Sequence, residues 1–166
     1  MKSFPLLIVL ILLAGCGYQV GPTPRGQFYP GVKKIFIPVV KNQTFEPRIQ
    51  VLVTDTIIRE FQKDGSFEIG TEAEADAILI VNLRDLTRSP LRFAQSNVVV
   101  AQEYELLLRG DFEMKGRDGK VLSSGSLSGR TTFYVGNDLI AAQQQALPLA
   151  AENLGYKIAS HISEQW

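Results

Sequence analysis

From Val98 to Met114 the chain alternates. Val98, Val100, Tyr104, Leu106, Leu108, Phe112 and Met114 share one parity, and Glu103, Glu105, Arg109, Asp111 and Glu113 share the other. Successive side chains of a strand point to opposite faces, so this run predicts one long strand with a packed face and a wet face. Gly116-Arg117-Asp118-Gly119 follows with the Asp-Gly signal of a hairpin turn. Val121 to Val135, rich in Ser, Gly and Thr, then returns as the neighbouring strand. The chain must therefore cover one face of a sheet and leave the other open.

Two helical patterns supply the cover. Over residues 47–63, Ile49, Leu52, Val53, Ile57 and Phe61 fall on one stripe. Pro47 suits the first helical position and Gly65 a left-handed stop. Glu60 intrudes on the stripe and is expected to reach out to water, while Val51 and Ile58 stand off it. Asn137-Asp138 opens a second helix running to about Glu164, with a stripe of Ile140, Gln144, Leu147, Ala151, Leu154, Ile158 and Ile162. Pro148 inside it predicts a kink or a split. The remaining strands are expected at Val32–Val40, where Pro38 argues for an edge, briefly at Ser66–Ile69, and at Ala77–Leu86. Thr87–Asn97 reads as a loop. The expected fold is α+β: a two-layer sandwich of one mainly antiparallel four-stranded sheet with two helices packed on one face, forming a single domain over residues 32–166.

The N-terminus reads differently. Lys2 precedes an apolar run from Phe4 to Leu13, shorter than the roughly 20 residues a membrane-spanning helix needs. Leu13-Ala14-Gly15-Cys16 resembles a bacterial lipobox, which implies a lipoprotein signal peptide at residues 1–15 and an acylated Cys16. The plainer alternative is an ordinary signal peptide with a coincidental cysteine. Gly17, in place of Asp after the cysteine, favours outer-membrane sorting by analogy. Several acyl chains hold a protein far better than one. Residues 16–31, punctuated by Gly and Pro, read as a lipidated linker that gives the folded part reach.

Little in the chain suggests catalysis. Lys and Arg number 17, as do Asp and Glu, and this balance argues against a nucleic-acid partner. His161 is the sole histidine and Cys16 the sole cysteine, so no metal set and no disulfide is expected. Glu103 and Glu105 share a face with Arg109 and Asp111, which reads as a solvated charged ladder rather than an acid-base pair. Ser123-Ser124-Gly125-Ser126 has no base beside it. The chain is expected not to be an enzyme and to need no cofactor.

Two features remain. Arg88-Ser89-Pro90-Leu91-Arg92-Phe93 sets guanidinium groups beside apolar side chains, a combination suited to an amphipathic phosphorylated lipid. Arg117 and Lys120 in the hairpin add charge. An ordinary solvated loop is the competing reading. The off-stripe Val51 and Ile58, and the small residues of 121–132, admit either a protein partner or a loosely packed surface.

The phrases "CGYQV", "IFIPVVKNQTFEPRIQVLVTDTIIREFQKDGSFEI", "EADAILIVNL" and "YELLLRGDFEMKGRDGKVL", in that order and followed by an amphipathic helix, are similar to the LptE family of lipopolysaccharide-assembly lipoproteins. The resemblance runs over about residues 16–162. It implies a sheet with two helices, and a lipid-anchored protein on the periplasmic side of the outer membrane. It further implies a partner, the LptD β-barrel, which the protein plugs and helps assemble, and binding of lipopolysaccharide through basic side chains, for which Arg92 is the nearest match; Arg88, Arg117 and Lys120 are candidates on their own chemistry alone. Asn137-Asp138 stands where a basic residue is also expected, which is a departure from the family pattern. The "ADAILIV" strand also resembles curli-type secretion lipoproteins, which implies instead a homomeric assembly acting as a periplasmic adaptor or secretion pore.

Overall fold

The computed structural model describes residues 29–93 and 101–164. The elements are β1 (Lys34–Phe36), β2 (Lys41–Asn42), α1 (Ile49–Asp64), β3 (Glu68–Ile69), β4 (Ala77–Phe93), β5 (Ala101–Gly116), β6 (Val121–Tyr134) and α2 (Leu139–Glu164). They form one sheet in the order β3-β1-β4-β5-β6, with β2 also pairing to β4.

The sheet is mixed, and the expected four-stranded, mainly antiparallel sheet is corrected on that point. β1 runs parallel to β3 and to β4, and β2 parallel to β4. Only β4-β5-β6 is antiparallel. The reason is topological: a crossover helix between two strands returns the chain in its original direction, and α1 is such a crossover between β1 and β3. Of the strand expected over Val32–Val40 only β1 forms; the stretch around Pro38, which lacks an N–H to give to a ladder, is unpaired, and β2 begins at Lys41, past the expected end.

β4 is longer than expected. Its pairing with β5 continues through Thr87↔Leu107, Arg88↔Leu106 and Ser89↔Glu105 to Phe93↔Ala101, so the stretch read as a loop is strand as far as Phe93. Three register irregularities, one after Leu83 and one on either side of Arg92, interrupt this ladder. Val98 and Val100 of the alternating run lie outside the described residues. From Tyr104 onward the alternation holds, with Leu106, Leu108, Phe112 and Met114 buried.

Both helices pack on the face that carries these residues, α2 over β6 and β5, and α1 against α2. The core joins Leu79, Val81 and Leu83 of β4 to Val53, Ile57 and Phe61 of α1 and to Leu154, Ile158 and Ile162 of α2. Each such side chain contributes roughly 1.5–3 kcal/mol by leaving water. Tyr29, inside the stretch read as linker, is buried against Phe67 at a ring separation of 6.2 Å.

Helix ends follow local chemistry. Asp138 Oδ1 accepts the N–H groups of Ile140 and Ala141 and caps α2. Gly65 adopts φ 71° and donates its N–H to the Phe61 carbonyl, closing α1 as expected. The start of α1 is shifted, because helical geometry begins at Ile49, after Arg48 at φ 65°. The preceding turn explains this. Asn42 Oδ1 accepts from the backbone N–H and the hydroxyl of Thr44, and Asn42 Nδ2 donates to the Glu46 carbonyl, so the chain enters the helix from a closed turn that Pro47 extends.

Three expectations about the helices change. Glu60 does not reach water: it is only 8% exposed, and Lys63 Nζ donates to its Oε1 at 2.6 Å. Ile140 and Gln144 do not join the buried stripe of α2, which starts at Ala146. Pro148 does not split α2. Pro148 and Gln144 both face solvent, so the carbonyl deprived of its partner can turn to water.

Candidate functional site

The sheet face opposite the helices carries paired charges. The irregularity after Leu83 puts Arg84 and Asp85 on this face in succession. Arg84 Nε donates to Asp111 Oδ2 at 2.5 Å and Arg84 Nη1 to Gln43 Oε1 at 3.0 Å. Arg109 Nη1 donates to Asp85 Oδ2 at 3.1 Å. The Ser126 hydroxyl donates to Asp111 Oδ1 at 2.6 Å, and with Arg84 it holds the Asp111 carboxyl below its ordinary range. Lys115–Glu113, Arg130–Glu105 and Arg92–Glu103 continue the pattern at 2.9, 3.9 and 3.7 Å. Glu103 and Glu105 each face an arginine, so they make a charged ladder and not a carboxylate pair.

At the end where β4 and β5 run past the helices, cationic and aromatic side chains meet. Arg88 lies on the helix-side face, opposite buried Leu106. Its guanidinium sits 5.8 Å from the Tyr104 ring centre, and Tyr104 stacks on Phe133 at 5.8 Å. Arg88 Nη1 donates to Gln143 Oε1, and Gln143 Nε2 donates to Glu46 Oε2 at 3.3 Å. A groove of about 200 Å³ opens between the 43–46 turn, Arg84, Leu86 and Gln143. Phe45, Leu91, Tyr134 and Ile140 stand exposed around this end, Phe45 fully and Ile140 at 69%.

The basic side chains singled out from the sequence are not one site. Arg88 and Arg92 belong to the same strand but face opposite sides of the sheet, because Arg88 opposes Leu106 and Arg92 opposes Glu103. Arg117 and Lys120 lie at the far end, about 35 Å away by strand rise. Arg117 Nη2 donates to the Ala73 carbonyl and its backbone N–H to the Asp76 carbonyl, so it ties the hairpin to the loop before β4. The Lys120 side chain is exposed there. Cys16 lies outside the described residues. Tyr104, Gln143 and Glu46 completed the Arg88 cluster without a sequence signal. Tyr104 looked like core, and Gln143 and Glu46 are brought to Arg88 only by the fold.

His161 is exposed on α2, edge-on to Phe112 at 5.3 Å. Among the described residues no three His, Cys, Asp or Glu side chains gather where they could hold a metal ion. Among them too, no helix is long and apolar enough to cross a membrane.

Known structures share the fold at low identity. A Xanthomonas campestris protein superposes with a TM-score of 0.58 at 14% identity, covering 87% of this chain and 90% of its own. A protein from Caulobacter crescentus CB15, described as a candidate lipoprotein, gives 0.52 at 19%, covering 75% and 84%. A minor lipoprotein from Acinetobacter baumannii gives 0.52 at 12%, covering 81% and 94%. A comparison with curated proteins finds no match. The family model LptE, lipopolysaccharide-assembly, matches residues 32–162, from just before β1 to the last turn of α2. The chain belongs to the LptE family of lipopolysaccharide-assembly proteins.

Proposed function

We propose that this protein is a lipid-anchored component of lipopolysaccharide assembly at the outer membrane. Acyl chains on Cys16 hold it, the residues between Cys16 and Tyr29 give it reach, and the folded part from Tyr29 sits in the lumen of an LptD-type β-barrel. The observation that carries this reading is the family match over residues 32–162. The geometry supports it. A sheet face lined by internally paired charges can meet the polar, hydrated interior of a large barrel without stranding an unpaired ion. The end that carries Arg88, Arg92 and exposed apolar side chains has the chemistry to take a phosphorylated, acylated glycolipid. The role is steric and electrostatic, not catalytic.

Solubilising outer membranes in detergent and isolating the full-length chain tests this. A large β-barrel recovered in stoichiometric amount supports it. A homomeric assembly with no barrel overturns it in favour of a secretion-pore lipoprotein. Labelled palmitate should enter the parent and not a Cys16→Ser variant, and equal labelling of both would remove the anchor from the proposal.

A further inference from the structure

Strand β6 is an edge of the sheet. An edge strand offers unpaired N–H and C=O groups to any extended chain. Helix α2 has taken two of them. Asn153 Oδ1 accepts the Arg130 N–H at 3.0 Å, and Lys157 Nζ donates to the Ser128 carbonyl at 2.7 Å. Ser128 and Arg130 flank Gly129, and Asn153 and Lys157 are one helical turn apart on the same face. The C=O of one residue and the N–H two residues on are the two groups that a single residue of a neighbouring parallel strand would occupy, and an antiparallel strand would also need both. The helix comes this close because Gly129 has no side chain: a Cβ there would lie 2.0 Å from the Ala150 carbonyl oxygen and 2.6 Å from the Leu154 nitrogen.

The remainder of the edge carries little protection of its own. Val121 to Leu127 holds no charge and no proline, the devices that usually keep edges apart. It is uncharged and rich in Ser and Gly, so an antiparallel copy of the same stretch would set no like charges against each other. We propose that Asn153 and Lys157 act as a strand stop, occupying the centre of the β6 edge so that it does not pair with β6 of a second copy of this chain.

The full chain in detergent, followed by sedimentation and light scattering over a hundredfold concentration range, tests this. The parent is expected to stay monomeric, and the Asn153→Ala/Lys157→Ala variant to form a dimer. Adding Ser126→Pro to that variant should restore the monomer by removing an edge N–H. In the dimer the Arg130 amide should remain protected from hydrogen exchange, whereas in the Pro-containing monomer it should exchange faster than in the parent. A folded double variant that stays monomeric, a dimer that Ser126→Pro leaves intact, or a parent already paired through β6 would each overturn the proposal. Should the double variant lose its helical circular dichroism, Lys157→Met alone is measured in its place, and the same outcomes decide. None of these readouts involves a barrel or a glycolipid, so the result is independent of the function proposed above.

Discussion

Gly129 shows how much one absent side chain can decide. A Cβ at this position would collide with backbone atoms of α2, which have no rotamer through which to escape. Gly129→Ala is therefore expected to push the helix off β6 and to destabilise the fold by about 2–3 kcal/mol, read as a lower thermal midpoint. Gly136→Ala, where the added carbon meets open space, is the control and should shift the midpoint little.

Asp76 acts through charge. Its Oδ2 accepts the backbone N–H groups of Lys34 and Lys33 at 3.0 and 2.9 Å, and these bonds hold its carboxyl below the ordinary range, with Arg117 and Lys33 adding attraction. A carboxyl whose pKa is lower folded than unfolded binds fewer protons in the native state. Its stabilisation is thus complete above the unfolded value and is lost as pH falls through the folded value. Denaturant titrations from neutral pH into this range should show stability dropping on the acid side, and Asp76→Asn should flatten that drop.

At the scale of elements, the extension of β4 changes what Arg88 and Arg92 do. A loop would have left both in water and near each other. A strand separates them by face: Arg88 is bound to Gln143 and lies over Tyr104, whereas Arg92 is itself exposed and makes a long ion pair, at 3.7 Å, with the largely covered Glu103. Arg88→Ala should consequently cost about 1 kcal/mol of stability and Arg92→Ala less than that, its ion pair being long. The strand itself is also testable. Backbone amides of residues 87–89 that are committed to β5 should exchange with deuterium on the timescale of the core ladder, and exchange as fast as a surface loop would contradict the pairing.

For the whole molecule, the basic groups fall into two separate sets. Arg88 and Arg92 share an end with exposed Phe45, Leu91, Tyr134 and Ile140, while Arg117 and Lys120 sit at the hairpin about 35 Å away. Under the proposed function, Arg88→Glu and Arg92→Glu should each weaken lipopolysaccharide binding about fivefold, equivalent to roughly 1 kcal/mol, without loss of the barrel on co-purification. Lys120→Glu should leave the affinity unchanged. Equal effects from both ends would mean that the glycolipid is held by net charge and not by this cluster.

Local periodicity and capping fixed much of this protein in advance. The α+β class, the wet and packed faces of β5, the Asp-Gly hairpin, the Gly65 stop and the Asp138 cap all depend on neighbours within a few positions, and such signals survive in a linear string. Three things were settled only by tertiary structure. Strand direction depended on where α1 delivers the chain, which no strand's own residues record. The strand character of Thr87–Phe93 depended on β5 being long enough to pair with a polar, proline-containing partner. The cluster at Arg88 depended on Gln143 arriving from α2 and Glu46 from the turn before α1. Hydrogen bonds and charges act through a few ångströms of space, and residues far apart in the chain become neighbours only once the core has closed.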